Sequence, residues 1–76
     1  MKNTWTLHER SATLKTPHDG VVSNILQYVS QGLITVAEMS REDGMNTLEI
    51  YVTPSNNFRR TINFLIQDAA SVLYNT

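Results

Sequence analysis

An Asp43-Gly44 pair in the middle of the chain most narrowly limits the folds open to this sequence. Asp-Gly is a strong signal for a tight β-hairpin turn, because glycine adopts positive φ at little cost. The pair separates two segments rich in β-branched and apolar residues, 33–39 and 45–53. The second points Leu48, Ile50 and Val52 to one side and Thr47, Glu49, Tyr51 and Thr53 to the other. The sequence therefore predicts a β-hairpin with one apolar face.

Two segments with helical spacing flank this hairpin. In residues 21–29 the apolar side chains recur three and four positions apart, and the pattern ends before Gly32, a residue suited to a helix C-terminus. The second segment spans residues 58–69 and follows three polar residues, 55–57, that can serve as N-caps. Residues 71–75 fit either a frayed helix end or a short strand.

The N-terminal segment, residues 4–14, alternates weakly, and the phase of the alternation changes half way. Trp5 and Leu7 share one side, whereas Leu14 continues the pattern in the opposite phase. Because an extra residue in a strand shifts the phase in this way, we predict one strand with a bulge near residues 9–11. The predicted order is then β-α-β-β-α with an optional last strand.

This order predicts a single α+β domain over residues 1–76. Helices and strands in this order specify the ferredoxin-like βαββαβ sandwich, in which a four-stranded antiparallel sheet carries both helices on one face. A chain of 76 residues buries only about 60% of its unfolded surface, so we expect a partner to cover more of it. The chain has no cysteine, so a disulfide cannot stabilise it instead.

Composition argues against several classes of function. Six Lys and Arg against seven Asp and Glu give a net charge of -1, which provides no basic field for nucleic acid. The apolar stretches are far shorter than the roughly 20 residues that span a bilayer, and no apolar signal core follows Met1. We therefore expect a cytoplasmic protein that binds neither nucleic acid nor a membrane.

The sequence presents no pattern typical of catalysis or of metal binding. His8 and His18 have neither cysteine nor carboxylate at metal-ligand spacing, and no nucleophile stands beside an oriented base. Arg59 and Arg60 open the second helix, where the macrodipole disfavours cations, so they suit either an acidic or phosphate partner or a solvated helix face. We predict no catalytic residue, no metal site and no enzymatic activity.

The loop before the first helix is the candidate ligand site. Free backbone N–H groups at a helix N-terminus can bind an anion such as an amino-acid carboxylate. The alternative is an ordinary connecting loop capped by Asp19. The predicted ligand-binding residues are Pro17, His18, Asp19, Gly20 and Val21.

The strand at residues 33–39 is the candidate interface. In the ferredoxin-like order this strand lies at the edge of the sheet, where unpaired backbone groups attract another strand. A second copy of the chain or a larger subunit would there meet Ile34, Val36 and Met39.

Together, the loop, helix, glycine and hairpin resemble the ACT domain, the small regulatory module of amino-acid metabolism. The resemblance covers about residues 4–74 and consists mostly of hydrophobic spacing with a few glycines. It rests on Asp19-Gly20-Val21-Val22, Ile25, Val29, Gly32, Val36, Met39, the Gly44 turn, residues 48–52, Ile62, Leu65 and Val72. Within this family the chain is similar to the short small subunits of acetolactate synthase, of the isozyme II type, which share the step seen here at Gln31-Gly32-Leu33.

The resemblance implies a regulatory subunit in branched-chain amino-acid biosynthesis. It implies a homodimer that binds and activates a large catalytic subunit, with a small amino acid as feedback ligand. Thiamine diphosphate, Mg and FAD would belong to the catalytic partner, and this chain would hold no cofactor. Two alternatives stay open: a small interaction protein, such as a phage or plasmid inhibitor that covers a host protein, and a stand-alone amino-acid sensor.

Overall fold

The computed structural model describes residues 2–74 of the chain. The elements along the chain are β1 (Thr4–Leu7), β2 (Ser11–Thr16), α1 (Asp19–Ser30), β3 (Ile34–Glu42), β4 (Met45–Val52) and α2 (Phe58–Tyr74). The four strands form one antiparallel sheet in the spatial order β1-β2-β4-β3, so that β1 and β3 are its edges. The predicted α+β class is confirmed, and the strands occupy the positions of a ferredoxin-like sheet.

The order of elements along the chain is ββαββα, which differs from the predicted βαββαβ. The predicted single bulged strand at residues 4–14 is wrong, because this segment is a hairpin whose turn is closed by the His8 N–H donating to the Ser11 carbonyl at 2.8 Å. β1 thus fills the edge position that a C-terminal strand fills in the predicted order. Residues 71–74 continue α2, and Asn75, the last residue of the predicted optional strand, lies outside the described residues.

Three local signals in the sequence have the predicted effect: one at the turn between β3 and β4, one at the end of α1 and one at the start of α2. Asp43 and Gly44 both have positive φ, 53° and 78°, as a tight hairpin turn requires. Gly32, at φ 78°, follows the last turn of α1. The side chain of Asn57 caps α2, because its Oδ1 accepts a hydrogen bond from the Arg60 N–H at 2.9 Å.

Both helices pack on the same face of the sheet. Alternate residues of β2 and β4 point into one apolar cluster with the inner faces of α1 and α2, while β1 adds only the partly buried Trp5. Each fully buried aliphatic side chain of this kind contributes about 1.5–3 kcal/mol relative to an exposed one. The cluster consists of Ala12, Leu14, Val21, Ile25, Ile34, Leu48, Ile50, Ile62, Leu65 and Ala69.

A polar network joins the two helices across their seam. The Asp68 Oδ2 accepts hydrogen bonds from the Tyr28 hydroxyl at 2.6 Å and from the Asn24 Nδ2 at 2.8 Å. These bonds, that of Tyr28 foremost, hold the pKa of Asp68 below its ordinary value. The same hydrogen bond, together with burial and the negative charge of Asp68, raises the pKa of Tyr28. The Tyr28 ring also meets Phe64 edge to face, with ring centroids 5.4 Å apart.

Candidate functional site

A groove between α1 and β3 brings together residues of both predicted sites. Asp19 comes from the predicted ligand loop and Met39 from the predicted interface strand. The volume of the groove, about 390 Å³, lies within the range of small-molecule sites. We call it the α1–β3 groove; its lining consists of Asp19, Val22, Ser23, Met39, Ser40, Arg41 and Asn46.

An ion pair lies in this groove. The Arg41 Nη1 donates to the Asp19 Oδ1 at 2.7 Å. The side chains of Arg41 and Asp19 are 56% and 69% exposed, so the pair adds only about 0–1 kcal/mol to the free energy of unfolding. Both charges are open to solvent, and a polar ligand can therefore reach each of them.

Asn46, on β4, forms hydrogen bonds with the loop before α1. It is only 7% exposed, and its Nδ2 donates to the Thr16 carbonyl at 3.1 Å and to the Asp19 Oδ1 at 3.2 Å. The Thr16 Oγ1 in turn accepts a hydrogen bond from the His18 N–H at 3.1 Å. The N-cap residue of α1 is His18, which makes no capping side-chain bond, and Asp19 is the first helical residue. The carboxylate of Asp19 is therefore positioned by the sheet and does not cap the helix.

The predicted ligand residues have different environments. Pro17 and His18 are half-buried in the loop, and Gly20 is exposed on the first turn of α1. Val21 is 0% exposed and belongs to the core, so its side chain is not available to a ligand. Of the five predicted residues, Asp19 is the one that lines the α1–β3 groove.

The three predicted interface residues also differ in their exposure to solvent. β3 lies at an edge of the sheet, as expected for this strand. Ile34 is 2% exposed and Val36 packs against the core, so the side chains of both serve the chain's own interior. Met39 is 55% exposed and presents its side chain to solvent. A partner at this edge would therefore meet Met39 and the strand backbone.

Five of the seven groove residues have no place in the sequence-based prediction of the site, and two of these, Arg41 and Asn46, contact Asp19. Arg41 is most simply a turn charge by sequence, yet it lies in β3 and pairs with a residue 22 positions earlier. Asn46 does leave a signal in the sequence. It falls on the same side of its strand as Leu48 and Ile50, and a polar residue on an apolar face needs a buried partner.

Other kinds of site receive no support from the described part of the chain. Within residues 2–74, no group of three His, Asp or Glu side chains is placed to hold a metal ion. No helix in that range is long and apolar enough to cross a membrane. The pKa shifts of Tyr28 and Asp68 belong to the seam between the helices, outside the groove. No family model, curated protein or solved structure matches the chain.

Proposed function

We propose that this chain is a non-catalytic regulatory subunit that binds a larger catalytic subunit in the cytoplasm and senses an amino acid in the α1–β3 groove. The observation that supports this is the Asp19–Arg41 ion pair, which joins the predicted ligand loop to the predicted interface strand. The identity of the catalytic partner follows from the resemblance to acetolactate synthase small subunits. That partner would hold thiamine diphosphate, Mg and FAD.

The groove has the chemistry to bind a zwitterion. The ammonium group of an amino acid fits beside the Asp19 carboxylate, and its carboxylate fits beside the Arg41 guanidinium, which favours bidentate pairing. Val22 and Met39 supply apolar surface for the side chain of the ligand. Binding then exchanges one internal ion pair for two ion pairs with the ligand.

The position of Arg41 links ligand binding to the edge of the sheet. Arg41 belongs to β3, the edge strand expected to meet the partner, and Met39 stands two residues before it. A ligand that draws Arg41 away from Asp19 changes what β3 presents to another protein. By linkage, the partner then changes the affinity for the amino acid by the same factor.

The sensing part is tested by thermal unfolding of the purified chain with each proteinogenic amino acid in turn. At a hundredfold excess over Kd, a ligand adds about 2.7 kcal/mol, which corresponds to roughly 10 °C or more in a domain of this size. We expect one amino acid or one chemical class to raise the midpoint, Arg41→Gln to abolish the shift, and Arg60→Gln, at an exposed arginine of α2, to leave it unchanged. A midpoint that no amino acid raises contradicts the sensing role.

The partner part is tested separately with a purified acetolactate synthase catalytic subunit freed of its own small subunit. We expect the chain to co-elute with it and to raise its specific activity several-fold. Arg41→Gln should keep the activation and lose the response to the amino acid. A thermal shift without activation would identify a stand-alone sensor, and a fall in activity would identify an inhibitor; either result contradicts the regulatory-subunit proposal.

A further inference from the structure

The end of the molecule opposite the α1–β3 groove is positively charged. At this end β2 begins, β4 ends and α2 begins. It contains Arg10, Arg59 and Arg60, half of the chain's six Lys and Arg residues, but only Glu9 of its seven Asp and Glu residues. The rest of the molecule is therefore net negative. We call this the arginine end; it is formed by residues 8–10, 30–33 and 53–60.

The three arginines of this end have no acidic partner within residues 2–74. The single ion pair in that range joins Arg41 and Asp19, and the three arginines are all exposed. Arg59 and Arg60 lie in the first turn of α2, where the helix macrodipole disfavours cations, and no acidic residue of that turn offsets their charge. Their charges are therefore available to an anion from outside the chain.

Two grooves adjoin at the arginine end. The first, of about 480 Å³, is lined in part by Arg59 and by Leu7, which is 54% exposed. The second, of about 290 Å³, is lined in part by Arg10. The two grooves share Phe58, which is half-buried, and Glu9, which forms an ion pair with neither arginine. Each groove thus combines a guanidinium group with apolar surface.

We propose that the arginine end binds an acidic segment of another protein, with carboxylates beside Arg10 and Arg59 and an apolar side chain against Phe58. A guanidinium group suits this partner, because it can pair with a carboxylate through two parallel hydrogen bonds. The apolar side chain of the segment would cover surface that the two grooves leave open. This binding is independent of the regulatory function, because none of these residues lines the α1–β3 groove.

The distribution of charge favours a short acidic segment over other anions. A nucleic acid strand is charged along its whole length and would extend onto the net negative remainder of the molecule, which repels it. Inorganic phosphate would pair with the guanidinium groups but leave the apolar lining uncovered. The acidic turn of a second copy, residues 42–44, is Glu-Asp-Gly and offers no apolar side chain. A segment with acidic and apolar side chains next to each other matches both properties of the grooves.

Fluorescence anisotropy with a short labelled peptide, in which glutamate alternates with leucine, tests this binding. We expect the peptide to bind, to bind more weakly as the salt concentration rises, and to lose binding when glutamine replaces its glutamates. Arg10→Gln and Arg59→Gln should each raise the dissociation constant roughly fivefold, as expected for the loss of an exposed ion pair. Glu9→Gln, which removes the acidic side chain of the two grooves, should lower it.

The matched control is Arg60→Gln, which removes the same charge from the next residue of α2 but lies outside both grooves. It should change the dissociation constant by less than about twofold. Far-UV circular dichroism checks that each variant is folded. The proposal is overturned if the glutamate peptide does not bind, if the glutamine peptide binds equally well, or if Arg60→Gln weakens binding as much as Arg59→Gln does.

Three further outcomes would assign the arginine end to a different occupant and would also overturn the proposal. A single-stranded oligonucleotide that binds as tightly as the peptide would indicate nucleic acid. Inorganic phosphate that displaces the peptide at an equal concentration would indicate a small anion. A mass that rises with protein concentration in light scattering, and that Arg59→Gln lowers, would indicate a second copy of the chain.

Discussion

The two edges of the sheet are built in opposite ways. β3 is nine residues long, bends at a register shift and carries an arginine that is paired with α1. β1 is four residues long, is uncharged and is anchored by the partly buried Trp5. Charges and a bulge keep β3 from pairing with another chain, and the short length of β1 does the same at the other edge. The two edges are therefore protected by different means, β3 by its charges and register shift and β1 by its length.

The largest effect expected from this contrast is at Trp5. Trp5→Ala should lower the free energy of unfolding by about 2 kcal/mol or more, since full burial of such a ring is worth about 3–5 kcal/mol and Trp5 is partly buried. Met39→Ala, at the other edge, should change it by about 0.5 kcal/mol or less, because Met39 is 55% exposed. Urea denaturation at one protein concentration measures both. Equal losses would mean that the two edges do not differ in their anchoring.

A smaller change in the free energy of unfolding is expected at Asn46, the buried residue of β4 that contacts the loop before α1. Asn46→Ala removes two hydrogen bonds from a buried side chain and should cost about 1–2 kcal/mol, whereas Arg41→Gln breaks an exposed ion pair and should cost about 0.5 kcal/mol. Asn63→Ala, on an exposed part of α2, is the control. If Arg41→Gln lowers the free energy of unfolding more than Asn46→Ala does, the exposed ion pair is what holds the loop before α1. The role assigned to Asn46 would then be wrong.

The smallest effect is expected at the seam that joins the two helices. Tyr28→Phe keeps the ring contact with Phe64 but removes the hydroxyl that donates to Asp68, so we expect a loss of about 1 kcal/mol at neutral pH. The folded pKa of Asp68 is lowered, so its contribution is present above the ordinary carboxyl pKa of about 4 and disappears as the pH falls through the lowered value. The difference between wild type and variant should therefore vanish in acid.

The alkaline side provides an independent check of the same contact. The folded pKa of Tyr28 is raised, so its stabilising effect is present below the ordinary tyrosine pKa of about 10 and is lost as the pH rises through the raised value. Urea denaturation across the pH range measures both limits. Tyr74→Phe, at an 89% exposed ring, is the control and should leave the free energy of unfolding unchanged. A constant difference between wild type and Tyr28→Phe at all pH values would contradict the assignment.

Much of the fold could be predicted because its signals are local. The Asp43-Gly44 turn, the alternation of residues 47–52 in β4 and the apolar stripe of α1 each depend on neighbours in sequence. The β1–β2 turn was missed because residues 8–11, His-Glu-Arg-Ser, contain no glycine, proline or asparagine. A reversal of the chain shifts the phase of alternation just as a bulge does, so the pattern alone could not separate the two.

The candidate site could be predicted only in part, for a different reason. Asp19 stood out because it begins a helix, and position in sequence was enough to find it. Its partners Arg41 and Asn46 lie on β3 and β4, 22 and 27 residues away in the sequence. Only the folded structure brings them into contact with Asp19. Val21 and Ile34 were assigned to surfaces although they are core residues, because an apolar side chain beside a loop or in an edge strand looks the same in either role.

The observed order, ββαββα, differs from the predicted order, βαββαβ, by a single change of connection. That change is the β1–β2 hairpin. Lys2 and Tyr74, near the two chain ends, line the same groove and so lie on the same side of the molecule. A chain cut between Glu9 and Arg10, and joined from Tyr74 back to Lys2, would begin with β2 and end with β1. Its elements would run βαββαβ, and its strands would keep their places. The fold is therefore a circular permutation of the ferredoxin-like order, and the two topologies share one arrangement of the core.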